Sequence, residues 1–459
     1  MKFSRGRCSA AAPAVTLVRL ISPLLPFVST SSPPFPVPAS NPPFRPDYGL
    51  AVWAGVAAFA TYFCMYAFRK PFTAATFEGL VLWGMQYKIV LIVAQVLGYT
   101  VSKFVGIKFI SELSPGRRIV SLLVLLGFAE LSLVGFALVP FPYNFGFLFL
   151  NGLPLGMVFG IVFSFLEGRR LTELLSVGLS VSIIFASGAV KSVGKLLLDA
   201  GHVSPWWMPA VTGLLFVPVL LFSVWMLSRI PPPTADDVAA RSVRRPMTGA
   251  GRRTLFRRYA PGLVLLIVVY IVLTALRDLR DNFAVEIWTA LGYGGQPGIL
   301  TTSELIISLL ILVIIAACSF IRNNARAFWL NHVLIATGGL LLGVSTLLFQ
   351  LQLLTPLAWM ITAGFGLFLG YIIYQSMLFE RMIATFREPA NAGFLMYLAD
   401  SFGYLGSVAV LLWRNFGAPQ VAWLDFFQLA AYGTAGLTVV VSLLSLFYFW
   451  KKSKRISAH

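Results

Sequence analysis

Charged residues are scarce in this sequence. Only 11% of its 459 residues are Asp, Glu, Lys or Arg, 58% are apolar, and the mean hydropathy is +0.83. A soluble protein usually has about a quarter of its residues charged. This composition therefore excludes an ordinary soluble fold and predicts an integral membrane protein whose exterior is solvated largely by lipid.

Cysteine and histidine are also scarce, with three residues of each. Cys8, Cys64 and Cys318 form no close pair and the histidines are scattered, so we expect neither a disulfide nor a metal site. The stretch Gly188–Lys195 has the wrong glycine spacing for a phosphate-binding loop and lies within an apolar run. We therefore expect no cofactor and no enzyme active site, and any uphill transport would have to use an ion or substrate gradient.

Long apolar runs are abundant. Twelve of them reach the roughly 20 residues that a helix needs to cross a bilayer, and they are too long for barrel strands. The predicted fold class is an all-α integral membrane protein with twelve transmembrane helices in two pseudo-symmetric six-helix bundles. The runs are Tyr48–Phe68, Ile89–Phe109, Ile119–Val139, Phe145–Leu166, Leu174–Leu198, Trp206–Leu227, Ala260–Leu276, Ile299–Ile321, Phe328–Phe349, Leu357–Phe379, Asn391–Leu412 and Phe426–Trp450.

A polar linker, residues 229–258, separates the bundles 48–228 and 259–450, and residues 451–459 form a basic tail. The first 47 residues contain ten prolines. We interpret them as a disordered leader, or as translation from an upstream start codon, in preference to a signal peptide. A basic start followed by an apolar stretch would also fit a signal peptide.

Basic residues are distributed unevenly between the loops. If both termini and the linker are cytoplasmic, the loops on that side hold 25 Lys and Arg residues and the opposite loops hold six. This imbalance follows the positive-inside rule, and it explains the net charge of +18 without a nucleic-acid partner. We expect a multi-pass protein of the cell (inner) membrane with cytoplasmic termini. The six opposite residues are Arg69, Lys70, Lys88, Arg277, Arg280 and Arg414.

Two arginines occupy equivalent positions at membrane depth. Arg69 follows the first run and Arg277 follows the seventh, and each has a tyrosine seven residues earlier, Tyr62 and Tyr270, on the same helical face. An ionised group at the centre of a membrane helix costs roughly 2.5–3.5 kcal/mol and needs a partner, water or a role. Two converging arginines would clamp a phosphate or carboxylate. Interfacial anchoring at helix ends explains the same spacing equally well.

Several motifs resemble those of the major facilitator superfamily, most closely the branch that exchanges organic phosphates for inorganic phosphate, such as glycerol-3-phosphate transporters. The similarity extends from Tyr48 to the C-terminal tail. It is carried by Tyr66–Phe72 (YAFRKPF), Gly98–Phe104 (GYTVSKF), Met208–Ala210, Leu276–Arg277, Ala392–Phe394 and Phe402–Gly406.

This resemblance implies roles for individual residues. Arg69 and Arg277 would hold the phosphate, Lys103 would support them, and Glu304 would lie near the site. The first helix would continue past Arg69 to about Phe77 and so place the arginine in a cavity. A histidine expected in the fifth helix is absent and the loop pattern between helices 2 and 3 is degraded, which points to a difference in gating or substrate.

Other polar residues within the apolar runs have two interpretations each. Lys191 would add positive charge to an anion cavity, while Lys195, four residues later, fits equally an outward position near Asp199. Glu130 and Asp400 are candidate proton carriers, and structural pairing explains them as well. A stripe of small residues, Gly152, Gly156 and Gly160, is typical of close helix packing.

Together these observations predict a secondary transporter of a small anionic, phosphorylated organic solute, working by antiport or proton symport. A receptor of the same fold that binds an anionic metabolite without moving it is the alternative. The expected partners are the solute and the bilayer, and the chain is expected to be a monomer. The predicted substrate-binding residues are Arg69, Arg277, Lys103, Tyr62, Tyr66, Tyr270, Glu304 and Lys191.

Overall fold

The structure, a computed structural model, describes residues 48–166, 172–232, 249–388, 390 and 392–457. They belong to one compact unit that begins at Tyr48. The predictions for the leader, and for most of the linker, lie outside the described residues.

Long helices make up nearly all of the described chain. Eleven of them are long and apolar enough to cross a membrane, and α2, the remaining helix that the sequence predicts to be a span, has 26 residues. The predicted all-α membrane fold is therefore confirmed. The helices are α1 (Tyr48–Ala67), α2 (Tyr87–Glu112), α3 (Arg118–Leu138), α4 (Phe145–Leu166), α5 (Thr172–Asp199), α6 (Met208–Ser228), α7 (Gly249–Asn282), α8 (Ala284–Ala290), α9 (Gly298–Ser319), α10 (Asn324–Gln350), α11 (Pro356–Ile373), α12 (Phe379–Phe386), α13 (Ala392–Gly417) and α14 (Trp423–Ser457).

Two features interrupt this regular pattern. A π-helical turn, Tyr374–Leu378, joins α11 to α12 so that they form one span. Between α1 and α2 the chain forms a hairpin of two short strands, β1 (Val81–Leu82) and β2 (Met85–Gln86). Helices α1–α6 pack together and α7–α14 pack together, while α5 packs along α9 and α2 contacts α13 across the boundary between these halves.

Several helices extend beyond their apolar runs. Helix α7 begins at Gly249 and ends at Asn282, and α14 continues to Ser457. The extensions carry basic residues that lie beyond the apolar run, such as Arg257 and Lys452. Hydropathy cannot detect these ends, because a helix does not stop where its apolar side chains stop.

The sequence analysis assigned six basic residues to loops on the side opposite the cytoplasm, but these residues do not lie in surface loops. All of them are buried in the protein, and Lys88, Arg277, Arg280 and Arg414 lie within helices. Their side chains find partners inside the protein, so the helices can continue past charges that ended the apolar runs in the sequence.

The expected continuation of the first helix to Phe77 is wrong. Helix α1 ends at Ala67, and a 3-10 helix, Pro71–Ala74, follows after a short turn. Pro71 lacks the amide hydrogen that an α-helix needs at this position. The chain from Phe68 to Ala75 nevertheless stays buried. Arg69 therefore lies at a break in the helix, in the interior of the protein.

Close packing fixes α2 against α4. A Cβ atom at Gly98 would lie 2.1 Å from the Phe149 carbonyl oxygen, and one at Gly152 would lie 2.3 Å from the Gln95 carbonyl oxygen. The two backbones are therefore in direct contact. Gly160, the last of the small-residue stripe, lines the central cavity instead.

Candidate functional site

A cavity of about 450 Å³ lies between the two halves. Its lining extends to Leu113 and Arg118, after α2, and to Ala392, at the start of α13, and we infer that it opens at these helix ends. We call this the open side. Arg69 and Arg277 line its inner end, so each half supplies one arginine. The volume lies in the range typical of small-molecule sites.

Aromatic side chains form much of the wall of this cavity. Phe159, Phe163 and Phe379 accompany tyrosines from both halves. The lining tyrosines are Tyr62, Tyr66, Tyr99, Tyr371, Tyr374, Tyr397 and Tyr404.

Arg69 is a buried cation stabilised mainly by rings. Its guanidinium carbon lies 4.2 Å from the ring centroid of Tyr99 and 5.8 Å from that of Tyr66. Within the described part of the chain, its Nε has no hydrogen-bond partner and no carboxylate pairs with it. Such a group can receive a bidentate anion without first losing another partner.

A network of amides holds the break that carries Arg69. The Gln95 side chain donates to the Arg69 carbonyl oxygen at 2.9 Å and to Asn151 Oδ1 at 2.8 Å. Asn151 donates in turn to the carbonyl oxygens of Phe68 and Ala129, both at 3.0 Å. Carbonyl groups released by the break are thereby satisfied from α2 and α4. The break in the helix is therefore stabilised by specific hydrogen bonds within the first half.

Arg277 already has a carboxylate partner. Its Nε and one terminal nitrogen donate to Asp278 Oδ1 at 3.1 and 2.5 Å, and it also hydrogen-bonds the Tyr371 hydroxyl. Asp278 Oδ2 accepts from Ser407 at 2.6 Å. The two arginines are equivalent in position, but only Arg277 has its charge compensated by an adjacent acidic residue.

Lys103 and Asp400 form an ion pair across the boundary of the halves, from α2 to α13, with a distance of 3.1 Å. Asp400 also accepts hydrogen bonds from the Tyr270 hydroxyl at 2.5 Å and from Gln375 at 3.2 Å. Tyr270 is fully buried behind the cavity wall. It acts on the site through Asp400.

The end of the cavity opposite its mouth is closed by ion pairs between the halves. Asp281 of α7 pairs with Lys70 at 2.5 Å and with Lys191 at 2.7 Å. Glu286 of α8 pairs with Lys88 at 2.5 Å. In each pair the lysine belongs to the first half and the carboxylate to the second. We call these five residues the closing cluster, and this end the closed side.

Helix packing seals the same side. A Cβ atom at Gly188 of α5 would lie 2.3 Å from the Leu300 carbonyl oxygen of α9. One turn later, the Ser192 hydroxyl donates to the Pro297 carbonyl oxygen at 2.7 Å and accepts from Thr301 at 2.6 Å. The halves therefore touch through their backbones on the closed side and diverge on the open side.

Four of the sequence-predicted residues do not line the cavity. Tyr270 lies behind it, and Lys191 belongs to the closing cluster. Glu304 pairs with Arg280 within the second half and borders a small cleft that Arg69 and Arg277 also border. Glu130 belongs to α3, and its carboxyl group lies against Gly213 of α6, where its oxygens have no hydrogen-bond partner in the described chain. The cavity does bring together Tyr62, Tyr66, Arg69, Lys103, Arg277 and Asp400.

The charges around the cavity do not balance. Seven cations and five carboxylates form a largely buried central cluster in the described chain, which leaves two positive charges in excess. The charged side chains that line the cavity itself, with Arg118 and Glu380 among them, are four cations and two carboxylates and leave the same excess. Excess charge inside a membrane protein is costly unless water or a ligand compensates it. The cations are Arg69, Lys70, Lys88, Lys103, Lys191, Arg277 and Arg280, and the carboxylates are Asp278, Asp281, Glu286, Glu304 and Asp400.

Sequence reasoning missed most of the aromatic wall and three of the acidic partners, Asp278, Asp281 and Glu286. The run Arg277-Asp-Leu-Arg280-Asp281 alternates basic and acidic residues within an apolar helix. That alternation is a usable signal, because a buried arginine requires a nearby anion. Tyr374 and Gln375 offered no comparable signal, since tyrosine and glutamine are unremarkable in a membrane helix.

Comparison with known proteins shows the fold. A family model described as "Family of unknown function (DUF5690)" matches residues 71–452. No curated protein matches the chain. Among solved structures, a D-xylose-proton symporter is 12% identical with a TM-score of 0.58, over 87% of this chain and 97% of its own.

Two other similar structures agree. A bacterial homologue of the human drug peptide transporters PepT1 and PepT2 is 12% identical with a TM-score of 0.58, over 89% of this chain and 99% of its own. The nucleoside transporter NupG is 12% identical with a TM-score of 0.56, over 87% and 100%. The predicted major facilitator fold is confirmed, whereas the phosphate-exchanging branch stays a prediction.

Proposed function

The chain belongs to the family of unknown function DUF5690, and from its cavity we propose that it is a secondary transporter of a small anionic, phosphorylated organic solute. The observation that carries this proposal is the excess of two positive charges around a cavity that both halves line. A phosphate monoester carries a charge of about −1.5 to −2 near neutral pH, which matches the excess. The similar structures, transporters of nucleosides, xylose and peptides by their descriptions, support the transporter class.

Charge balance determines which form of the protein can reorient, and therefore the mode of coupling. Closing the empty cavity would leave the excess positive charge away from water, which is costly. A bound dianion removes this cost, so the loaded protein reorients more readily than the empty one. The cycle is then an exchange of one anion for another. The open side, which carries the basic loops, faces the cytoplasm in this proposal.

Proton symport is the alternative mode of coupling, with Asp400 and Glu130 as its candidate carriers. A proton on Asp400 would release Lys103 and raise the positive excess to three, so a dianion would no longer balance the site. Glu130 does not line the cavity, and a proton there has no evident route to the solute. These positions favour exchange.

Uptake into liposomes that contain the purified protein tests the proposal. We expect phosphate monoesters to accumulate in liposomes loaded with inorganic phosphate, and about tenfold less in unloaded ones, because only a loaded carrier returns. Protein-free liposomes and the unphosphorylated form of each solute are the controls. Binding without uptake would identify a receptor, and absence of both would overturn the proposal.

The Asp400→Asn variant separates the two modes of coupling. We expect it to bind the dianion about tenfold more tightly, since Lys103 gains freedom to make one charge-assisted hydrogen bond worth roughly 1.4 kcal/mol. Exchange should become slower because the loaded site keeps a positive charge. Affinity is measured by calorimetry and exchange with labelled phosphate.

Glu130→Gln, which alters a buried carboxyl group outside the cavity, is the matched control and should leave both quantities unchanged. If a proton gradient drives uptake in the unaltered protein and Asp400→Asn abolishes that drive, the exchange mode is wrong and Asp400 carries the proton.

A further inference from the structure

The π-helical turn Tyr374–Leu378 lies directly on the cavity. Its residues Tyr374, Gln375, Ser376 and Met377 all contribute to the wall. Single π-helical turns within α-helices are rare and occur frequently at functional sites. This turn lies in the second half, whereas the uncompensated Arg69 lies in the first. The two halves thus present chemically different walls of the cavity to a solute.

Tyr374 has a hydroxyl group that the described residues leave without a hydrogen-bond partner. The side chain is only 1% exposed, so water in bulk does not satisfy the group. The side chain of the next residue, Gln375, does have partners: it donates to the hydroxyls of Tyr270 and Tyr371 at 2.6 and 3.0 Å. A buried polar group without a partner is costly. A ligand that reached this hydroxyl from the cavity, whose wall Tyr374 helps to form, would remove that cost.

Other aromatic rings pack against the Tyr374 ring, Tyr270 from behind the cavity wall and Phe379 as part of the wall. The Tyr374 ring centroid lies 5.3 Å from that of Tyr270 and 6.0 Å from that of Phe379. On the first half, Tyr62 lies edge-on to Phe159 at 5.4 Å. Flat aromatic walls bind flat solutes better than flexible chains, because ring contacts add attraction without ordering many torsions.

We propose that the π-helical turn forms a second subsite, which binds the organic part of the solute and selects a ring bearing a hydroxyl group. The ring packs against the aromatic wall, and its hydroxyl bonds to Tyr374. This inference rests on the proposed function, since Arg69 then holds the anionic group at the other end. The solute would span both halves and hold them together as they reorient.

Five phosphate compounds test the subsite on the full-length protein. They are inorganic phosphate, glycerol phosphate, phenyl phosphate, and the 3- and 4-hydroxyphenyl phosphates taken as a pair. Binding is measured by calorimetry near pH 8, where phosphate monoesters are dianions because their second pKa is about 6. We expect phenyl phosphate to bind about tenfold more tightly than glycerol phosphate, and the better hydroxyphenyl phosphate about fivefold more tightly again.

The Tyr374→Phe variant keeps the ring and removes only the hydroxyl. It should abolish the advantage of hydroxyphenyl over phenyl phosphate and leave phenyl phosphate unchanged. Tyr371→Phe, one turn earlier, removes a hydroxyl that contacts Arg277, and it should weaken all of the phosphates together.

The outcomes distinguish this inference from the proposed function. If glycerol phosphate binds as tightly as the ring compounds, the ring subsite is wrong and anion transport stands. If the hydroxyl advantage persists in Tyr374→Phe, the assignment of Tyr374 is wrong. If none of the phosphates binds, the proposed function itself fails.

Discussion

Replacement of Arg69 by lysine is expected to lower the affinity for the transported anion by about 100-fold, although the positive charge is kept. The guanidinium group presents two parallel N–H donors to a phosphate, and lysine offers a single point charge. Lysine also lacks the planar guanidinium group that stacks on the ring of Tyr99. Calorimetric titration of the purified variant with a phosphate monoester provides the measurement.

Arg414→Lys is the matched control for this experiment. Arg414 is likewise buried and likewise lies over an aromatic ring, with its guanidinium carbon 4.3 Å from the ring centroid of Trp423. It bonds backbone carbonyl oxygens, including that of Val421 at 2.5 Å, and does not line the cavity. We expect this variant to change thermal stability but not affinity. Equal affinity in Arg69→Lys and the unaltered protein would remove Arg69 from the site.

Replacement of Asp281 by asparagine is expected to open the closed side. The change leaves the buried ammonium groups of Lys70 and Lys191 without their carboxylate, and loss of one partner of a buried pair costs about 3–5 kcal/mol. In the alternative form of the protein, which would be open at the closed side and so outward under the proposed function, these lysines regain water. The equilibrium between the two forms should therefore shift by more than about 100-fold toward outward opening.

Cysteine labelling measures this shift. Ser192, 5% exposed on the closed side, is replaced by cysteine in a background in which the native cysteines are serine. A membrane-impermeant maleimide should label it much faster in Asp281→Asn. A cysteine at Ser164, which lines the cavity near its mouth, should become slower to label from the open side.

Asp199→Asn is the control, because Asp199 pairs with Lys195 at 2.5 Å on the exposed surface of the first half alone. An exposed pair of this kind contributes little to stability. Both partners belong to α5, so the pair does not link the halves and labelling should not change. Unchanged labelling in Asp281→Asn as well would show that helix packing around Gly188, and not the ion pairs, holds this side shut.

Composition and run length were sufficient to predict the fold, because lipid solvation is a property of whole segments. The equivalence of Arg69 and Arg277 was also visible in sequence, since pseudo-symmetric halves repeat positions. The difference in their partners, an acidic residue beside Arg277 and none beside Arg69 in the described chain, was not. Whether Asp278 folds back onto Arg277 depends on Ser407 of another helix, and no local pattern encodes that contact.

The break after α1 shows a second limit. Pro71 was visible in the sequence, but resemblance to a continuous helix outweighed it. The break is stable only because Gln95 and Asn151 satisfy the freed carbonyl groups, and these two amides come from other helices. Likewise, Lys191 stood out in the sequence as a charge within an apolar run, but its predicted place in the cavity wall is not where the structure puts it. Its partner Asp281 lies 90 residues away, so its place at the closed side depends on how the halves meet.

The two halves contribute charges of opposite sign to the closing cluster, and this restricts which halves can assemble with each other. Every lysine of the cluster comes from one half and every acidic residue from the other, so a first half facing a copy of itself would confront ammonium with ammonium. Two second halves would confront carboxylate with carboxylate. Self-pairing is thus disfavoured by like-charge repulsion, and two fragments produced separately should recombine only with each other.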